Sequence, residues 1–294
     1  MTGYEYTEFP LERAGVALHL DRVRRSGGRP RRNILLTHGV TYSSHEFDID
    51  YRDYSLVRCL ARAGYAVWRL DVAGYGRSGA VEDGFLPDSD YAAADVRAAA
   101  ELILRESGEK TIDLLGWSWG TVTAGRFAAG APALVRRAVL YAPILTGIGR
   151  ETVVEPFHRN TWEHAAGDFQ KTADGSFDYA AAEKTVVELY CSGCWRFDGE
   201  KSPNGGRRDI CVERDKDLIP LEKIKAPTLI LYGDRDPYLN YGRIEGALSR
   251  LGSGSALALI PGGSHMLMYE KPYYHEFQNT LIRFLLDEES GASN

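Results

Sequence analysis

Short apolar runs alternate with longer amphipathic ones along most of the chain. Ile34-Leu35-Leu36 within Asn33–Thr37, Tyr65–Asp71, Thr111–Leu115, Val135–Ala142, Pro227–Tyr232 and Ala256–Ile260 are each a few residues long and bounded by turn formers. That is the pattern of strands buried on both faces. Between them, helices are predicted near Tyr51–Ala63, over Asp90–Glu106, over Thr121–Ala129, near Tyr241–Leu251 and over Pro272–Leu286. In the second of these, Val96, Leu102 and Ile103 fall at helical spacing, and Ser107-Gly108 supplies the stop. Ahead of this series, residues 5–23 predict a β-hairpin turning at Ala14-Gly15, with Val16–Leu20 alternating as a half-exposed strand does. Strands alternating with helices imply a doubly wound, mainly parallel α/β sheet.

The rhythm breaks between about Thr146 and Ala226. This stretch is rich in aromatic residues, with one helical run at Tyr179–Tyr190 and a polar turn region at Gly199–Arg208. The strand–helix alternation resumes at Pro227.

Candidate chemistry sits where the apolar runs end. Gly116-Trp117-Ser118-Trp119-Gly120 joins a strand to a helix. A G-x-S-x-G turn of this kind is so sharp that glycine is needed on either side of the serine, whose hydroxyl is lifted clear of the sheet. The next N–H, on Trp119, opens a helix, where donors are unpaired and the dipole favours negative charge. Asn33–Thr37 ends in His38-Gly39-Val40, the strand at 227–232 in Gly233-Asp234-Arg235-Asp236-Pro237, and the last strand in Pro261-Gly262-Gly263-Ser264-His265. Serine, aspartate and histidine follow one another in that order. A serine hydroxyl needs a base, and the base needs a carboxylate to fix its tautomer.

These motifs, their order and their placement resemble the α/β-hydrolase superfamily, over residues 30–285. The resemblance implies a sheet of about eight strands, formed by 1–145 and 226–294, with 146–225 as a mostly helical cap. It implies Ser118 as nucleophile, His265 as base, and Asp236 as the acid, because Asp236 stands three residues after Gly233; Asp234 then serves the turn. The backbone N–H groups of Val40 and Trp119 become the oxyanion hole. Asp71-Val72-Ala73-Gly74-Tyr75-Gly76-Arg77-Ser78 resembles the family's D-x-x-G-x-G-x-S loop, with a structural role. Serine at position 118 argues against the family's epoxide hydrolases and haloalkane dehalogenases, which carry aspartate there.

The expected reaction is hydrolysis of a carboxylic ester, lactone or thioester of small to medium, partly apolar character, through an acyl-enzyme. Acyl transfer to another acceptor, or C–C bond hydrolysis, uses the same three residues; a non-catalytic binding protein is the alternative from another class. His38, Gly39, Trp117, Trp162 and Trp195 are the candidate pocket residues, and His158 and His164 could meet a polar substrate group. His38 reads as a loop-holding residue rather than a base.

Composition narrows the picture modestly. The chain has 294 residues, 44% hydrophobic and 26% charged, with a net charge of −6. That balance argues against general nucleic-acid binding; the six arginines between Arg22 and Arg32 read as a solvated loop. No apolar run approaches the ~20 residues of a membrane span, and the first residues lack a secretory leader's pattern. A cytoplasmic enzyme with a small-molecule substrate and no cofactor is the expectation; oligomeric state is not legible. Cys59 reads as an apolar filler. Cys191, Cys194 and Cys211 are open to metal binding, a disulfide or free thiols, although no histidine lies between 191 and 211 to complete a zinc site. The tail from Ser290 to Asn294 is expected to be disordered.

Overall fold

The structure is a computed structural model that describes residues 3–149 and 152–286; the tail expected to be disordered lies outside them. The amino-terminal hairpin pairs β1 (Tyr4–Arg13) with β2 (Val16–Arg25) across Ala14-Gly15. There follow β3 (Arg32–Thr37), α1 (Leu56–Arg62), β4 (Tyr65–Asp71), α2 (Ser89–Ser107), β5 (Ile112–Trp117), α3 (Trp119–Gly130) and β6 (Val135–Tyr141). The next segment holds β7 (Phe157–Arg159), α4 (Trp162–Ala165), α5 (Lys184–Asp198), β8 (Lys201–Pro203) and α6 (Gly205–Ile210). The chain closes with β9 (Thr228–Gly233), α7 (Tyr241–Ala247), β10 (Ala256–Ile260) and α8 (Tyr274–Leu286).

Eight strands form one sheet in the order β1-β2-β4-β3-β5-β6-β9-β10. The hairpin joins β4 antiparallel, and every pairing from β4 to β10 is parallel. Both faces are covered, which is why the central strands read as unbroken apolar runs. On one face Leu35, Leu114 and Leu140 pack with Val96, Ile103 and Phe127 of α2 and α3. On the other, Ile34, Leu115 and Val139 pack with Leu60, Phe277 and Leu281 of α1 and α8.

Several boundaries differ from the sequence expectation. α1 starts at Leu56 rather than near Tyr51, because the Ser55 hydroxyl accepts the Arg58 N–H and caps it. The helix expected at Tyr179–Tyr190 is displaced to Lys184–Asp198, since the Asp178 carboxylate holds residues 178–181 in a turn. The polar stretch at 199–208 contains β8, paired antiparallel with β7, and the start of α6. No helix among the described residues is long and apolar enough to cross a membrane.

The hairpin is locked to the sheet by a buried ion pair. Asp21 and Arg69 stand opposite each other across β2 and β4, with Arg69 Nε and Nη2 donating to the two Asp21 oxygens at 2.8 and 2.5 Å. Burial raises the Asp21 carboxyl, but hydrogen bonds from His19 and Arg69 outweigh it and pull its pKa down to about 2. Arg69→Met strands that carboxylate and is expected to cost ~3–5 kcal/mol in urea unfolding. In the native protein the Asp21 contribution holds above the ordinary carboxylate value of 3.8 and is lost as the pH falls through about 2. The acid unfolding limb of Arg69→Met should be correspondingly weaker.

Candidate active site

Ser118 sits at the junction of β5 and α3 with φ 56° and ψ −124°, a backbone region that L-residues avoid. Close packing imposes it. A Cβ at Gly120 would lie 2.1 Å from the Thr37 carbonyl oxygen, and one at Gly116 would lie 2.2 Å from the Gly120 carbonyl oxygen. The Thr37 hydroxyl donates to that same Gly120 oxygen at 2.9 Å, fastening the helix start to the end of β3. Ser118 is half-buried, and its own N–H donates to Tyr141 O. The Trp119 N–H, first in α3, has no intrahelical acceptor.

His265 and Asp236 arrive from the ends of β10 and β9. His265 Nδ1 stands 2.7 Å from Asp236 Oδ2, and both side chains are buried. Because a carboxylate only accepts, Nδ1 carries the proton and Nε2 is left as the basic atom. Burial pulls the imidazole pKa down, but the charge and hydrogen bond of Asp236 outweigh it, and the pKa ends above the ordinary histidine value. The other Asp236 oxygen accepts the Tyr238 N–H at 3.0 Å. Asp234 instead accepts the Gly262 N–H at 2.7 Å and joins the two strand-end loops. Trp117 Nε1 and Tyr141 Oη both donate to the His265 carbonyl, at 3.3 and 2.8 Å, and so hold the histidine backbone.

The loop after β3 forms the facing wall. His38 is buried and uses both ring nitrogens on the backbone: Nδ1 donates to Gly39 O at 2.8 Å, and Nε2 accepts the Val72 N–H at 3.1 Å. Burial lowers its pKa, so it stays neutral. The Gly39 N–H donates to Glu46 Oε1 at 2.6 Å. Glu46 lies in a 3-10 turn, Ser44–Phe47, tied down by Asp71, which accepts the Ser44 N–H at 2.9 Å and the Arg77 N–H at 3.0 Å. Burial raises the Glu46 carboxyl well above the usual range.

Ser118, His265, Gly39, Val40, Glu46 and Trp117 line one cavity of about 90 Å³. The segment between β6 and β9 adds Ile148, His164, Asp168, Tyr190, Arg207 and Cys211 to it. Asp168 accepts from Tyr238 Oη at 2.6 Å, and Tyr42 Oη lies 3.3 Å from His164 Nδ1. Three of the candidate pocket residues lie elsewhere. His38 is committed to the loop backbone, while Trp162 and Trp195 are 44% and 50% exposed and line a separate outer groove with Arg159 and Arg196. Exposed aromatics in the inserted segment look like pocket residues in sequence, yet here they face outward from α4 and α5. His158 lies beside His164, their tilted rings 4.4 Å apart between centroids. Cys59, Cys191 and Cys194 are buried and Cys211 is half-buried, all without a disulfide. Among the described residues no three His, Cys, Asp or Glu side chains are grouped to hold a metal.

A family model described as serine aminopeptidase, S33, matches residues 28–272. The chain belongs to that family. This S33 family member is an α/β-hydrolase enzyme, and its relatives carry several activities. A serine hydrolase, BPHL, from Mus musculus is 28% identical over 273 residues, 92% of this chain and 84% of the relative. A putative non-heme chloroperoxidase from Synechocystis sp. is 26% identical, over 80% of this chain and 84% of its own. In fold, the chain is similar to epoxide hydrolase A from Mycobacterium thermoresistibile, with TM-score 0.66 and 20% identity, covering 96% and 98% of the two chains. It is also similar to a thioesterase domain from the curacin biosynthetic pathway, with TM-score 0.63 and 16% identity, covering 96% and 99%.

Glu46, Tyr141, Asp168, Arg207 and Tyr238 are the site residues that sequence reasoning missed. None lies in a motif, and only the fold brings them to the strand ends.

Two measurements test the geometry of this S33 hydrolase. With His265 as the proposed base, its neutral form is the active one, and kcat/KM should fall as pH drops, with an inflection above the ordinary ~6.5. Asp236→Asn should lower kcat by about 10,000-fold and move that inflection to lower pH. Glu46→Leu removes the acceptor that aims the 38–41 loop and should lower kcat/KM roughly 100-fold, whereas Glu46→Gln should recover most of it.

Proposed function

We propose that this enzyme hydrolyses a carboxylic ester, lactone or thioester of small size through an acyl-enzyme at Ser118. The carrying observation is the 2.7 Å contact of His265 Nδ1 with Asp236, in one cavity with a serine held at a strained strand–helix turn. His265 Nε2 takes the Ser118 proton as the hydroxyl attacks the carbonyl carbon. The carbonyl electrons move onto oxygen, which the Val40 and Trp119 N–H groups receive; such donors typically contribute ~2.7–4 kcal/mol each to the transition state. Collapse expels the leaving group, protonated by His265, and water repeats the sequence to free the acid and the serine. No step calls for a cofactor. Residues 146–225 act as a cap that closes the cavity and sets what enters it.

The serine role is tested directly. Ser118→Ala should abolish turnover of short-chain esters and labelling by a fluorophosphonate probe. Undiminished labelling in that variant removes Ser118 from the mechanism.

A further inference from the structure

Arg207 is the one Lys or Arg side chain lining the Ser118 cavity among the described residues. It comes from α6, in the segment that the proposed function treats as a cap. Its Nε donates to Asn204 Oδ1 at 3.1 Å and its Nη2 to Thr41 Oγ1 at 2.6 Å. Both acceptors are neutral, and among the described residues no carboxylate lies within ion-pair distance of the guanidinium. Other recessed arginines of this protein are treated differently: Arg13 holds Asp95, Arg69 holds Asp21, and Arg136 holds Asp113. A guanidinium is always charged and has five donors in a fixed fork, which suits two-point binding of a carboxylate. Arg207, half-buried, thus brings a permanent charge and unspent donors into a small space beside the nucleophile.

Its position indicates which part of a substrate it meets. Thr41 follows Val40, so the guanidinium is fastened to the oxyanion wall. Tyr238, bonded to Asp168, is the residue against His265, with its ring 4.9 Å from the imidazole. The leaving group must lie on the histidine side, where it is protonated, which assigns the Arg207 side to the acyl portion. Ile144, Ile148 and Ile210 supply apolar wall to the same cavity. The cavity, about 90 Å³, is small, which suits a short chain. Of the two carboxyls in the lining, Glu46 is driven toward its uncharged form by burial, and Asp168 is bonded by Tyr238.

We infer that the preferred substrate carries a carboxylate on a short acyl chain, and that Arg207 binds this carboxylate as a specificity-determining residue. The inference rests on the serine-hydrolase reading of Ser118 and names the substrate class for that site.

Two esters of equal acyl-chain length test it: monomethyl glutarate, which ends in a carboxylate, and methyl pentanoate, which ends in a methyl group. The wild-type enzyme should show the higher kcat/KM with monomethyl glutarate. Arg207→Gln should lower the ratio of the two kcat/KM values roughly 10- to 100-fold, the range for a charge-assisted hydrogen bond, and Arg207→Lys should recover part of it. A wild-type ratio of one or less overturns the inference, as does a ratio unmoved in both variants. The wild-type ratio stands even if Arg207→Gln fails to fold. Fluorophosphonate labelling of the wild type separates the two layers: without labelling of Ser118 the nucleophile reading fails and takes this inference with it, whereas labelling without preference for the charged ester removes this inference alone.

Discussion

The first turn of α3 is pressed against the end of β3 until backbone meets backbone, and most of the site follows from that contact. No side chain fits at Gly120 beside the Thr37 carbonyl, nor at Gly116 beside Gly120. With the helix start held there, the one residue able to bridge strand and helix is forced to positive φ. Strain of this kind costs of order 1–3 kcal/mol and persists only where packing over-determines it. Here the surroundings are fully buried: Leu114 and Leu115 of β5 on opposite faces, and Val122 of α3. The same contact holds the end of β3 against the start of α3, and the loop that carries Val40 follows directly from it. Ser118 and the loop after β3 therefore both depend on this one backbone contact.

Asp236 and His265, the proposed acid and base, are held by a second unit. β9 and β10 run parallel, and their terminal loops are joined by Asp234 accepting the Gly262 N–H. Asp236 and His265 project from those joined loops, so their contact does not depend on the inserted segment. Trp117, adjacent to the serine, reaches across to the His265 carbonyl and ties the two units together. Burial alone would lower the His265 pKa; the Asp236 charge and hydrogen bond reverse that sign and leave it raised.

The segment between β6 and β9 contributes a different kind of constraint. It meets the core through Asp198, whose oxygens accept the Ser43 and Gly76 N–H groups, and through Tyr75 Oη, 3.0 Å from both Val40 O and Pro203 O. The segment thus leans on the loops after β3 and β4, the first of which carries the proposed oxyanion donor Val40. Arg207 reaches Thr41 by the same route. Geometry of the reacting atoms belongs to the strand ends, whereas the charge and shape of the cavity belong largely to the insertion.

What the sequence alone determined was set by local physics. Buried strands need continuous apolar runs, a strand-to-helix turn this tight needs glycine at 116 and 120, and strand-end positions mark where side chains can converge; these made the fold class and the candidates Ser118, Asp236 and His265 legible. Tertiary structure decided what depends on contacts between distant segments. Trp162 and Trp195 face outward rather than into the cavity, because the exposed face of a short helix cannot be told from its buried face when its packing partners are unknown. Glu46, Asp168, Arg207 and Tyr238 carry no pattern of their own. Their roles come from chain crossings that bring residue 46 against Gly39 and residue 207 against Thr41, and no local preference encodes those crossings.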